Sequence, residues 1–181
     1  MIRLASSSQT RAMLLREAGV GFIQESVDFN EELIVATSPK NFVYQATLGK
    51  YEANLRAFGF KDYPLLVADT VVTSQGQILR KAKCVEDARN ILMTQSGNIT
   101  SIITCMIYQS PHKKLIDISQ TDYIFSDFNQ DALDAYLASG EWRGKAGACM
   151  VEGFCKSYIK EVRGFESTAM GLSVEVLQAF M

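Results

Sequence analysis

The chain has 181 residues, of which 48% are hydrophobic and 21% charged, with a formal net charge of −2. That length supports one domain with a substantial core, and the charge balance excludes any general attraction to nucleic acid or an anionic membrane. No apolar stretch approaches the ~18–20 residues of a membrane span, and Met1–Ser6 holds too short an apolar run for a signal peptide, so a cytoplasmic protein is expected.

Ile2–Ala5 reads as a short strand, and Ser8 caps a helix running to about Ala18, with Gly19 as its stop. Phe22–Val27 follows as a second strand, then an acidic connection holding Asp28, Glu31 and Glu32. Ser38-Pro39 starts a helix that runs to Phe58 before Gly59, its main apolar stripe being Tyr44, Leu48, Tyr51, Leu55 and Phe58. Leu65–Val72 is a buried-type strand, turned back by Ser74-Gln75-Gly76 into Gln77–Arg80. Glu86–Gln95 is an amphipathic helix closed by Ser96-Gly97. Ile99–Gln109 and Lys114–Phe125 then form a long antiparallel hairpin across the polar Ser110-Pro111-His112-Lys113 turn. Asn129 opens a helix over Asp131–Ala138, Gly144–Gly153 is small and glycine-rich, Ser157–Val162 is a strand and Ser173–Phe180 a terminal helix. Crossover helices combined with a long hairpin predict one α/β domain over 1–181. Its sheet is mixed and bent, with flanking helices, and a cleft between two lobes is the natural site.

Two stretches carry the chemistry. Leu4-Ala5-Ser6-Ser7-Ser8-Gln9-Thr10-Arg11 passes from a strand through small hydroxyl residues into a helix with Arg11 in its opening turn. A helix N-terminus offers free N–H groups and partial positive charge, which suit phosphate. In Val67-Ala68-Asp69-Thr70-Val71-Val72 a carboxylate interrupts an apolar run. That is costly unless it meets a cation, a metal or a proton, although an aspartate bonded to backbone would also satisfy it. Together the two stretches point to an enzyme handling a phosphorylated substrate with a metal.

Other residues are read against simpler roles. Glu31 and Glu32 are ordinary solvated carboxylates unless their loop folds over Asp69, where they would make a hard site for Mg²⁺ or Mn²⁺. Lys50, flanked by Val43, Ala46, Ala53 and Ala57, either snorkels to water or reaches into a cleft toward an anion. Lys81 lies in Arg80-Lys81-Ala82-Lys83, a run that normally marks a solvated face, whereas Lys145 among Gly144, Ala146 and Gly147 has backbone room for a ligand. The segment Gly140–Ala146 is not a P-loop, being one residue short and lacking the Ser/Thr after lysine. The lone His112 sits in a turn, and Cys84, Cys105, Cys149 and Cys155 lack zinc-like pairing and read as reduced thiols.

These residues, in order and spacing, resemble the Maf family of nucleoside triphosphate pyrophosphatases (septum-formation inhibitors) along nearly the whole chain. The family opening Leu-Ala-Ser-x-Ser-Pro-Arg-Arg corresponds to Leu4–Arg11, with Gln9 for the proline and Thr10 for the first arginine. Ala68-Asp69-Thr70-Val71, Lys50, Lys81, Ser96-Gly97, Lys145-Ala146-Gly147-Ala148, Glu152-Gly153 and Gly171-Leu172-Ser173 match further motifs, with Ala82 where proline is usual. The resemblance implies a cytoplasmic, metal-dependent hydrolase, often dimeric, with a fold related to the inosine triphosphatase class. It would split a nucleoside triphosphate into monophosphate and pyrophosphate, with links to cell-division arrest and to removal of noncanonical nucleotides. Asp69 is then the proton acceptor; on the residues' own chemistry, Asp69 with Glu31 or Glu32 would hold the divalent metal. Ser6, Ser8, Arg11, Lys50, Lys81 and Lys145 are the phosphate-binding set. Thr10, Thr70 and Glu152 fall at the specificity positions: Thr70 matches a branch acting on dTTP and UTP, Glu152 one acting on 7-methyl-GTP. The rival readings are an inosine/xanthosine triphosphate pyrophosphatase and a nucleotide-binding septation regulator without turnover.

Overall fold

A computed structural model describes residues 1–31, 34–149 and 151–181. Its strands are β1 (Ile2–Leu4), β2 (Phe22–Gln24), β3 (Leu65–Ser74), β4 (Gln77–Ile78), β5 (Ile99–Gln109), β6 (Lys114–Phe125) and β7 (Ile159–Arg163). Its helices are α1 (Gln9–Glu17), α2 (Pro39–Phe58), α3 (Val85–Gln95), α4 (Gln130–Ser139), α5 (Glu166–Ala169) and α6 (Val174–Phe180). The chain divides into two compact units: Met1–Thr70 with Ile103–Gln120 and Phe165–Met181, and Val71–Ile102 with Thr121–Gly164. The long strands β3, β5 and β6 each supply a segment to both. Among the described residues no helix is long and apolar enough to cross a membrane.

In the first unit the strand order is β2-β1-β3-β5-β6, with β1 parallel to both β2 and β3. Residues alternate between the two faces of each strand. On one face Leu4, Leu66, Ala68, Met106 and Tyr108 pack with Ala12 and Leu15 of α1 and Leu177 of α6. On the other, Leu65, Val67 and Ile107 pack with Tyr51, Leu48 and Leu55 of α2. The sheet is therefore covered by α1 and α6 on one side and α2 on the other. This agrees with the mixed α/β architecture expected from sequence.

The second unit pairs β4 antiparallel to the end of β3 (Thr73↔Ile78) and β7 antiparallel to the end of β6 (Asp122↔Arg163). Its interior holds Leu92, Leu133 and Trp142, together with a ring cluster in which Phe128 contacts Phe125, Phe154 and Tyr158, and Phe154 stacks on Tyr136 at 4.6 Å.

Several boundaries differ from the sequence reading. Strand β2 ends at Gln24, where the acidic segment leaves the sheet. The expected strand at Ser157 starts as a 3₁₀ turn over Phe154–Tyr158, and β7 begins at Ile159. Helix α2 buries Phe42, Val43, Ala46, Thr47, Tyr51 and Asn54, so the inward face takes in Val43 and Ala46 of the Lys50 flank as well as Tyr51 of the expected stripe, against which Leu48 and Leu55 also pack. The reduced state expected for Cys149 and Cys155 is also corrected. Cys155 lies in the 3₁₀ turn, its Cα is 6.2 Å from that of Cys149, and their sulfurs are joined.

The two remaining cysteines differ sharply. Cys84 is exposed at the start of α3, whereas Cys105 is buried in β5 and its thiol pKa is pushed up by burial to about 11. The thiolate is the reactive form, so at pH 8 a maleimide should label Cys84 readily and Cys105 only after denaturation. Mass spectrometry of labelled peptides checks this, and fast native labelling of Cys105 would contradict its packing.

Candidate active site

Helix α1 starts where β1 ends because three serines cannot continue the buried strand and Ser8 can cap. The Ser8 hydroxyl accepts from Arg11 N–H at 3.3 Å, and the first turn carries no acidic residue. Ser6 Oγ accepts from Ser8 N–H at 3.2 Å and from Arg11 Nη1 at 3.1 Å. A hydroxyl has two acceptor lone pairs and one proton. Both Ser6 lone pairs are thus used, and its proton is free to donate. Gln24 Nε2 fixes the turn from the other side, donating to Ser6 O at 2.8 Å and Ser8 O at 3.3 Å.

Strand alternation divides the next two residues between the two faces of the sheet. Asp69 shares its face with Leu65 and Val67, toward α2; Thr70 shares the face of Leu66 and Ala68, toward α1. Accordingly Lys50 Nζ lies 3.1 Å from Asp69 Oδ2, and Arg11 Nη2 donates to Thr70 Oγ1 at 3.2 Å. The other carboxylate oxygen, Asp69 Oδ1, accepts from Thr70 N–H at 3.0 Å. The carboxylate is thus held at both ends while keeping lone pairs for a further donor or cation.

The acidic segment does fold over Asp69. Asn54 of α2 accepts from Val27 N–H at 3.0 Å, and the Phe29 ring occupies the space that a Cβ on Gly49 would need. Glu31 is thereby placed with Oε1 2.5 Å from Lys50 Nζ. One ammonium lies between two carboxylates, so their oxygens converge on a position sized for a single cation. Glu32 lies outside the described residues. A cavity of about 300 Å³ is lined by Ser6, Ser8, Arg11, Glu31 and Lys50 among others.

Arg11 is half-buried and held on three edges of its guanidinium. Its Nε donates to Gly171 O at 2.7 Å, which fixes the third edge of the guanidinium. Burial lowers its pKa, and the nearby charges of Asp69 and Glu31 oppose that shift. Gly171 has φ +103°, and a Cβ there would stand 3.3 Å from Thr70 Oγ1 and 3.4 Å from Arg11 Nε. Glycine is required by both backbone and space.

Thr10 lies exposed in the first turn of α1. Lys81, Lys145 and Glu152 belong to the second unit. Lys81 pairs with Ala146 in an antiparallel bridge, bringing the two lysine-bearing segments side by side. The Gly144–Ala148 turn is pinned by Gln95 Nε2 donating to Gly147 O at 2.6 Å and by Tyr136 Oη donating to Ala148 O at 3.0 Å. Lys145 is half-buried and Glu152 exposed. Sequence reasoning missed Gln24, Phe29, Asn54 and Thr104; only their long-range partners reveal them.

The chain belongs to the Maf-like protein family, whose model matches residues 1–181. Among its relatives, a nucleoside triphosphate pyrophosphatase of a Nitratiruptor species is 58% identical over 179 residues, covering 98% of this chain and 96% of the relative. A protein of the same name from Campylobacter jejuni subsp. jejuni is 37% identical, with both chains fully covered. Another from Helicobacter pylori is 37% identical over 96% of this chain and 91% of its own.

The Phe29–Gly49 contact makes a direct prediction. Gly→Ala at an open helix position stabilises by about 1 kcal/mol. Gly49→Ala should lose that gain, displace the ring and make residues 25–31 easier to cleave in limited proteolysis. A rise in melting temperature with unchanged cleavage would refute the contact.

Proposed function

We propose that the chain hydrolyses a nucleoside triphosphate to the monophosphate and pyrophosphate. The observation that carries the reading is the meeting of Arg11, Lys50, Asp69 and Glu31 beside a capped helix N-terminus. The free Ser6 proton, the first-turn N–H groups of α1 and the Arg11 guanidinium offer donors to phosphate oxygens, as does the ammonium of Lys50. Lys81 and Lys145 are proposed as further phosphate contacts on their motif match. The names of the relatives support the substrate class.

Asp69 is proposed as the base. It accepts a proton from water, whose oxygen attacks the α-phosphorus as the bond to the bridging oxygen breaks and pyrophosphate leaves. Thr70 N–H holds the carboxylate orientation through Oδ1 during this step. Charge stabilisation and positioning dominate such transfers, which explains cations gathered around one carboxylate.

A divalent cation fits the donors present. Asp69 and Glu31 are hard oxygen ligands already converging on one cationic centre, and among the described residues no cluster of three or more His, Cys, Asp or Glu exists. Mg²⁺ or Mn²⁺ held by one or two carboxylates takes its other ligands from phosphate and water. Such an ion, when bound, would neutralise phosphate charge and acidify water. Glu32 is proposed as an additional ligand.

The test measures pyrophosphate release from dTTP, UTP, 7-methyl-GTP and ITP with Mg²⁺ or Mn²⁺. Asp69→Asn should lower turnover by about 10²-fold or more, the usual scale for losing a base. Wild-type turnover in that variant would reject the assignment. Triphosphate binding without pyrophosphate release by the wild type would favour a regulator.

A further inference from the structure

Arg11 and Asp69 touch opposite faces of β3, yet both bond to Thr70: Asp69 through the Thr70 amide, Arg11 through its hydroxyl. What fixes the Thr70 hydroxyl is therefore what relates the cation to the carboxylate. Thr70 Oγ1 lies 2.9 Å from Thr104 Oγ1, and Thr104 Oγ1 lies 2.7 Å from Thr168 O. A carbonyl only accepts, so the single proton of Thr104 is spent on Thr168. The hydroxyl of Thr104 can meet Thr70 only as an acceptor. Thr70 must point its proton inward at Thr104, which leaves a lone pair for Arg11 Nη2. The hydroxyl protons of Thr70 and Thr104 thus each have one possible place between Arg11 and the Thr168 carbonyl.

Thr104 and Thr168 are fully buried, so no water competes for these bonds. Thr168 is itself held, its hydroxyl lying 3.2 Å from that of buried Ser173. Thr168 of α5 is followed within three residues by Gly171, whose carbonyl accepts from Arg11 Nε. The guanidinium is thus referenced twice to the Thr168–Gly171 segment, once directly and once through two threonines.

We propose that Thr104 is a positioning residue of this site, acting through Thr70 to set where the Arg11 guanidinium lies beside Asp69. Without the Thr104 acceptor the Thr70 hydroxyl is free to rotate, and its lone pair is no longer held toward Arg11 Nη2. Thr104 touches neither a phosphate nor the reacting atoms in this account; its effect is on placement. The proposal rests on the assignment of Arg11 as a triphosphate ligand.

The experiment uses inorganic tripolyphosphate at fixed Mg²⁺, with binding measured by calorimetry and folding by thermal melting. Thr104→Val should raise Kd about tenfold, the size of one lost hydrogen bond to a charged group, while Thr104→Ser restores it. In a Thr70→Val background the Thr104→Val change should add less than about twofold, since coupled residues are not additive. A folded Thr104→Val protein with wild-type Kd and only a lower melting temperature would overturn the proposal, as would full additivity with Thr70→Val. Thr104→Ala takes the place of valine if that variant does not fold. A wild-type protein that fails to bind tripolyphosphate defeats the triphosphate reading itself, and this proposal with it, a result visible before any variant is made.

Discussion

Asp69 and Thr70 are consecutive residues on a pleated strand, and the pleat sends one to each side of the sheet. The two cations of the first unit's cavity, Lys50 and Arg11, are arranged around that division. Lys50 on α2 meets the carboxylate and Arg11 on α1 meets the hydroxyl, because each helix covers the face on which its partner emerges. The register that makes this possible is set by apolar packing. Arg3 pairs with Leu65 and Leu4 with Leu66, and the fully buried Leu66 and Ala68 commit their face to α1 and α6. A slip of one residue would exchange the faces, bury Asp69 against α1 and strand Lys50. Core packing and site geometry are therefore one constraint.

The second constraint is electrostatic. Arg11 and Lys50 contribute two positive charges, and Asp69 and Glu31 two negative, so these four groups are balanced as they stand. Balance is what lets partly buried charges persist, since an unpaired one would be strongly disfavoured. It also limits what the site can take up. A triphosphate brings several negative charges, and the carboxylates oppose it unless another cation engages them. The call for a divalent ion in the proposed reaction follows from the same arithmetic that seats Lys50 between two carboxylates. In both cases positive and negative groups must come into balance within a partly enclosed space.

Much of this was legible in the chain. Asp69 stood out because a carboxylate in an apolar run must be explained, and the Ser6–Arg11 turn because hydroxyl residues after a short strand make a helix cap. Both features are local, and local chemistry can be read from neighbours in sequence. Lys50 was ambiguous for a physical reason: α2 has apolar residues on more than one flank, and only the docked sheet decides which flank turns in. Glu31 looked like any loop carboxylate, since its placement depends on Phe29 seating on Gly49 and on Asn54 holding Val27, contacts between segments far apart in sequence. Thr104 was invisible. A threonine among isoleucines is what strand propensity alone favours, and nothing nearby announces that its hydroxyl completes a chain begun at Arg11. The pairing of Cys149 with Cys155 escaped for a related reason, because it depends on a turn over residues 151–153 leading into the 3₁₀ turn that carries Cys155, and a small, glycine-rich stretch does not announce that path in sequence.

Thr70 shows how a buried network narrows what a half-buried residue can do. The family resemblance ties this position to the choice of base, and a free threonine could serve as donor or acceptor alike. Here its proton is spent on Thr104 and one lone pair on Arg11. What it has left for any ligand is a single lone pair and a methyl group. Any selection through Thr70 would then work by accepting a hydrogen bond or by shape, not by donating. A change at Thr104 would return the donor to Thr70, so a fully buried residue governs which hydrogen-bonding chemistry the half-buried hydroxyl beside it can offer.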